Sequence, residues 1–225
     1  MMADNYIFSY NQLKVLLAGY GYDCISGLTL GNSVLDYQAL TEALNKLLRD
    51  GMISSDGESF IGSDVAKRIS ERIGNALSYT LIHTKRNFLP DLCCYCGEDL
   101  LICSDSLCSV DCVSVRFSDF NDFYDSLRDE GYLPMNSEGI FSDEENLDSF
   151  EEEVFKTYCP NQPINPDSAI IFAAEKIDRD GNILECVRIL EYYFCDYILC
   201  LKGNQAERVL YDRNNVRLFL KRLMN

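Results

Sequence analysis

Twice along this chain, a run of short apolar segments separated by tight turns gives way to a single amphipathic helix. The first run takes in Leu92–Cys96, a turn at Gly97-Glu98-Asp99, Leu100–Cys103 and the β-branched stretch Val110–Phe117. It ends in a helix over Ser118–Asp129, with Phe120, Phe123, Tyr124 and Leu127 on one face. The second run takes in Ala169–Ile177, a turn at Asp178-Arg179-Asp180-Gly181, Ile183–Tyr193 and Asp196–Leu201, and turns again at Lys202-Gly203-Asn204. It ends in a helix over Asp212–Met224 carrying Val216, Phe219, Leu220 and Leu223. Short strands joined by tight turns pair antiparallel. A helix with one apolar stripe must bury it, and the sheet is the available surface. The predicted fold class is therefore α+β: a central antiparallel sheet with a quasi-two-fold duplication of a β-meander–helix unit, flanked by helices.

The N-terminal part, residues 1–88, reads as mainly helical. Tyr10–Ala18 is a short amphipathic helix stopped by Gly19-Tyr20-Gly21. Asp36–Asp50 carries Leu40, Ala43, Leu44, Leu47 and Leu48 at helical spacing, with Asp36 as N-cap and Gly51 just past the end. Two apolar pieces around Asp56-Gly57 predict a hairpin, and Asp64–Leu77 a further helix. Helix, Gly-Met-Ile and hairpin over residues 36–61 give a winged-helix-like outline. Residues 136–168 read as a linker. Glu138 to Glu153 holds eight acidic residues and no basic one, Phe150, Val154, Phe155 and Tyr158 form one helical stripe, and Pro160, Pro163 and Pro166 follow. The expected organisation is a single domain over 1–225, with parts at 1–88, 89–135, 136–168 and 169–225.

Charge narrows the function. Against 20 Lys and Arg stand 36 Asp and Glu, a net charge of −16. Nucleic-acid binding needs a concentrated basic face, which this balance opposes. An anionic membrane surface is opposed for the same reason. The winged-helix outline offers only Lys46 and Arg49 on its main helix, among Asp36, Glu42 and Asp50, so a transcriptional regulator lacks its electrostatic footprint. Without a basic start followed by an apolar run, and without a stretch of ~20 apolar residues, neither export nor membrane insertion is expected, and the chain reads as cytoplasmic. Its eleven cysteines are then expected as reduced thiols.

Cys93-x-x-Cys96-Gly97 has the spacing of a zinc knuckle, and Cys108-x-x-x-Cys112 offers a second pair, so a zinc-binding structural or regulatory module is one alternative function, a winged-helix transcriptional regulator being the other. Free use of cysteine as a small strand residue, with Cys24, Cys159, Cys186, Cys195 and Cys200 elsewhere, explains the same residues without a metal. Asp178-x-Asp180-Gly181-Asn182 is a hairpin turn and not a calcium loop, since no glutamate stands at the twelfth position. The single histidine, His83, leaves a Cys–His nucleophile without sequence support. Nucleophile-elbow, phosphate-loop and dinucleotide signatures are absent from the sequence. No enzyme activity, cofactor, metal or small-molecule ligand is expected.

In order, these pieces resemble the EspG family, the cytoplasmic chaperones of ESX/type VII secretion. Asn11–Leu17 is similar to the family's opening helix, and Leu44–Gly57 (LNKLLRDGMISSDG) to its Leu-rich segment ending in Asp-Gly. Leu92–Val115 with Gly97-Glu98-Asp99, leading into Asp119–Leu127, resembles its first strand–helix unit. Ile177–Gly181, Val187–Leu190 and Asp196-Tyr197 resemble its second, and Tyr211–Leu223 its last helix. Tyr197-Ile198 stands where the family has Gly-Arg. The resemblance implies a non-enzymatic protein that binds a helical secretion substrate, keeps it soluble and presents it to the secretion machinery.

Overall fold

The computed structural model describes residues 5–22, 26–28, 30, 35–85, 89–107, 109–134, 170–192, 195–203 and 205–225. The acidic linker at 136–168, its helical stripe and Cys108 lie outside the described residues. Nine strands form one antiparallel sheet: β1 (Asn5–Ser9), β4 (Ser78–Thr84), β5 (Leu92–Tyr95), β6 (Leu100–Asp105), β7 (Cys112–Ser118), β8 (Ile170–Asp178), β9 (Ile183–Tyr192), β10 (Cys195–Lys202) and β11 (Gln205–Leu210). Their spatial order is β1-β7-β6-β5-β4-β8-β9-β10-β11. The hairpin β2 (Ile53–Ser55) and β3 (Phe60–Gly62) stands apart. The five helices among the described residues are α1 (Tyr10–Gly19), α2 (Tyr37–Arg49), α3 (Asp64–Gly74), α4 (Phe120–Asp129) and α5 (Arg213–Leu223). The expected α+β class with a large antiparallel sheet is what the chain forms.

Local chemistry sets the helix ends. Ser9 caps α1 in a capping box: its hydroxyl accepts from the Gln12 N–H, and the Gln12 side chain accepts from the Ser9 N–H at 2.8 Å. Asp36 caps α2 by accepting the Ala39 N–H at 2.7 Å, and Gly51 follows at φ 70°, where a side chain would be strained. The helix expected over Asp64–Leu77 stops at Gly74, earlier than its apolar spacing suggests. A Cβ at Gly74 would lie 2.2 Å from the Tyr22 ring, so this helix end is set by close packing. The N-terminal part holds two strands of the main sheet besides its helices. β1 occupies one sheet edge, and β4 lies at the centre between β5 and β8. The strand expected from Val110 begins at Cys112, because Asp111 takes a left-handed turn (φ 55°) and Val110 points into solvent.

The sheet separates two cores. In antiparallel pairing, directly opposed residues share a face. Ile82, Leu92, Ile102, Phe172, Val187 and Ile198 project to the first face, where they meet Phe123 and Leu127 of α4 and Val216, Phe219 and Leu220 of α5. Cys93, Tyr95, Leu101, Cys103, Val113 and Val115 project to the second face, against Leu13, Leu17, Leu47, Ile69 and Ile73 of α1–α3. Also on the second face, farther along the sheet, Ile170, Ala173, Cys186, Leu190, Leu199 and Leu201 form a third buried cluster. Within this stretch the buried side chains of Glu175 and Arg188 pair at 2.7 Å.

Candidate functional site

The structure does not gather the cysteine set. Cys93 is buried on the second face directly opposite Cys103, whereas Cys94 faces the other core. Cys96 follows β5 at the Leu100 end of β6, and Cys112 opens β7 beyond the Asp105 end. Six strand residues at ~3.3 Å each put those two ends roughly 15–20 Å apart. Thiolates sharing one zinc each lie at ~2.3 Å from it, so Cys96 and Cys112 are not ligands of one ion. Among the described residues, no three His, Cys, Asp or Glu side chains converge as a metal site.

Gly97 has a packing reason that needs no metal. A Cβ there would fall 2.1 Å from a guanidinium nitrogen of Arg72. That guanidinium pairs with the Asp99 carboxylate at 3.2 Å, and Arg68 pairs with the same carboxylate while stacking 3.9 Å over the Phe117 ring. The Cys-Gly turn thus docks α3 onto the β5–β6 hairpin.

Burial makes the core thiols inert. It pushes Cys93 and Cys200 up to about 12, and raises Cys94 and Cys103 well above the usual thiol range. At pH 8 a thiol of pKa 12 has roughly 10⁻⁴ of its population as thiolate, against about a quarter for a free one. Iodoacetamide at pH 8, read by mass, should therefore modify Cys93 and Cys200 at least about 10³-fold more slowly than the same thiols in denaturant, and Cys94, Cys103 and Cys186 more slowly as well. Rapid labelling of Cys93 or Cys103 in the native chain would contradict this core.

The other polar candidates are structural. The Asp178 carboxylate accepts the N–H groups of Asp180 at 2.9 Å and Asn182 at 2.8 Å, and the Asn182 side-chain amide at 3.0 Å. These bonds, the Asn182 side chain first, hold its pKa below the usual carboxylate range and close a β-turn with Gly181 at φ 85°. His83 lies in β4 opposite Ala173. In the hairpin β2–β3, Asp56 caps its own turn by accepting the Glu58 and Ser59 N–H groups.

Open surface is found where α4 and α5 end. The two helices are joined over the middle of the first face: the Tyr124 hydroxyl donates to the Arg213 carbonyl at 2.7 Å, and Arg217 donates to Asn121 at 2.7 Å. Each sheet margin beside them is concave. At the β10–β11 margin a cavity of about 450 Å³ is crossed by ion pairs, with buried Glu185 held by Lys202 at 3.1 Å and Arg222 at 3.5 Å. The β1–β7–β6 margin differs. Its groove of about 440 Å³ has Leu92 and Ile102 in the floor and Ile7 and Leu107 on the rim, 50% and 76% exposed. Tyr132 closes one wall, its hydroxyl donating to the Pro90 carbonyl at 2.7 Å. Arg116 is already engaged, donating to the Ser126 hydroxyl at 3.1 Å and the Glu130 carboxylate at 3.4 Å. Asp105 accepts the Tyr10 hydroxyl at 2.8 Å, and this bond raises the Tyr10 phenol above its ordinary value.

This lining has serines and, among its described residues, neither imidazole nor thiol. Sequence reading missed it because its lining comes from five separate segments; Arg116 inside an apolar strand is the one local sign. No helix among the described residues is long and apolar enough to cross a membrane. No protein-family model matches this chain, and no curated protein matches it.

Proposed function

We propose that the protein is a cytoplasmic chaperone or adaptor. It binds a helical type VII secretion substrate, keeps it soluble and presents it to the secretion machinery, without catalysis. The observation that carries this reading is the strand order. From the central β4–β8 ladder, β4-β5-β6-β7 followed by α4 runs outward on one side, and β8-β9-β10-β11 followed by α5 on the other. We read these as two copies of one meander–helix unit related by a quasi-two-fold axis, preceded by a winged-helix-like α1–α2–hairpin–α3 segment. That is the arrangement the EspG resemblance implies. A groove beside the helix layer with no helix over it among the described residues suits a carrier that masks an apolar helical tip. A net charge of −16 keeps such a carrier dispersed when empty.

Pull-down of the tagged chain from its native cytoplasm, with associated chains read by mass, tests this. A small helical secretion substrate at near-equal amount is the expected result. Recovery of the chain alone from cells that express its secretion system would overturn the reading.

A further inference from the structure

We propose that the outer face of α5 docks an acidic helical segment of a partner protein, with carboxylates on Arg213, Arg217 and Lys221 and an apolar side chain on Leu218. This goes beyond the chaperone reading and does not rest on it. The chain has 36 acidic residues against 20 basic ones, yet α5 carries four Lys or Arg and no Asp or Glu. Its inner stripe, Val216, Phe219, Leu220 and Leu223, is buried against the sheet. At about 3.6 residues per turn, Leu218 stands opposite that stripe with Arg217 and Lys221 beside it. It is 65% exposed. The stability of the helix does not call for this charge pattern. Arg213 opens the first turn, where the macrodipole disfavours a cation, and that turn holds no acidic residue. Asp212 is engaged in the cap, accepting the Asn214 N–H at 2.7 Å.

Neighbouring side chains leave these cations unmatched. Arg217 donates to the neutral amide oxygen of Asn121 at 2.7 Å, which does not offset its charge. On α4, Asp125 and Asp129 are held by Arg128 at 3.3 and 2.9 Å. Arg222 belongs to Glu185 and Glu207. Among the described residues no carboxylate pairs with Arg213, Arg217 or Lys221. These three stand four residues apart, on one ridge of the helix, at ~6 Å intervals. Acidic residues four apart on a partner helix repeat at the same interval, so a helix packed along the ridge brings a carboxylate to each cation. An extended segment would bring backbone N–H and C=O groups that a helix face cannot pair. A flat anionic membrane would meet the net negative charge of the whole chain, whereas one helix meets only the charge within a Debye length, ~8–10 Å.

The probe is a synthetic 18-residue peptide of Leu and Glu at helical spacing, with a twin in which Gln replaces Glu. The net charge of −16 opposes an acidic peptide elsewhere on the chain, so its binding reports this face. Binding is followed by fluorescence anisotropy on the full chain, the reversal variant Arg213→Glu/Lys221→Glu, the single variant Leu218→Ser and the control Arg49→Glu/Lys67→Glu. The control makes the same charge change at exposed positions of α2 and α3. Every substituted position is exposed, and circular dichroism checks folding. The Leu/Glu peptide should bind the parent and the control alike, and the reversal variant at least about 10-fold more weakly. Leu218→Ser should weaken it about 3-fold or more. The Leu/Gln twin should bind the parent at least about 10-fold more weakly than the Leu/Glu peptide. No binding to the parent, equal binding to parent and reversal variant, or an equal loss in the control overturns the assignment. If phosphatidylglycerol vesicles sediment the parent but not the reversal variant, while the Leu/Glu peptide binds neither, the face belongs to a membrane and the assignment falls.

Discussion

Replacing Glu175 with alanine should destabilise the protein by about 3–5 kcal/mol in urea unfolding, more than any single surface change. Glu175 and Arg188 are 8% and 6% exposed, and their charged ends meet at 2.7 Å among Ala173, Cys186 and Leu199. Two charges taken out of water repay their desolvation only through each other. Arg188 has little reserve, because its Nε lacks a hydrogen-bond partner among the described residues. Removing the carboxylate leaves a buried guanidinium with no counter-ion among the described residues. The double variant Glu175→Leu/Arg188→Met removes both charges at similar volume, and should return to within ~1 kcal/mol of the parent or exceed it. The signature is non-additivity: the second substitution rescues the first. A single variant within ~1 kcal/mol of the parent would mean that this part of the sheet is wetter than its packing indicates.

Phe172→Ala should cost about 3–5 kcal/mol by loss of burial and by the cavity left behind. Phe172 is fully buried in β8, opposite Thr84 of β4 and Ile189 of β9, and belongs to the core beneath α4 and α5. The central β4–β8 ladder gives the backbone little freedom to collapse into the space. For a chain of this size each kcal/mol lowers Tm by about 2–4 °C, so a fall of about 10 °C is expected by calorimetry. Leu218→Ser, on the exposed face of α5, should stay within ~0.5 kcal/mol of the parent and so serves as the reference. A small effect at Phe172 would place the load of this core elsewhere.

What was legible in the sequence follows from how many faces each segment buries. β5, β6, β8 and β9 are apolar runs bounded by turns, and α2, α4 and α5 carry one apolar stripe each, so composition and spacing suffice for them. β4 was missed because its central position places Tyr79 and Leu81 in one layer and Thr80 and Ile82 in the other, which erases the polar alternation of a strand. β11 was missed for the opposite reason: Gln205, Ala206 and Glu207 are exposed at an edge and read as loop. Gly97 looked like part of a zinc knuckle because its true neighbour, Arg72, is 25 positions away in sequence and comes close only when α3 docks. The groove's one local sign was Arg116 in an apolar strand, since β1, β5, β6, β7 and the turn after α4 meet there only in the folded chain.

Adjacent cysteines that point to opposite faces have a consequence for motion. Cys93 lies under the α1–α3 layer and Cys94 under α4, one peptide bond apart in the same strand. Each thiol is reached only when its own covering layer lifts. Native-state alkylation, followed residue by residue, then measures two opening free energies within one strand, and their difference says which layer is released first when a partner pulls on the molecule.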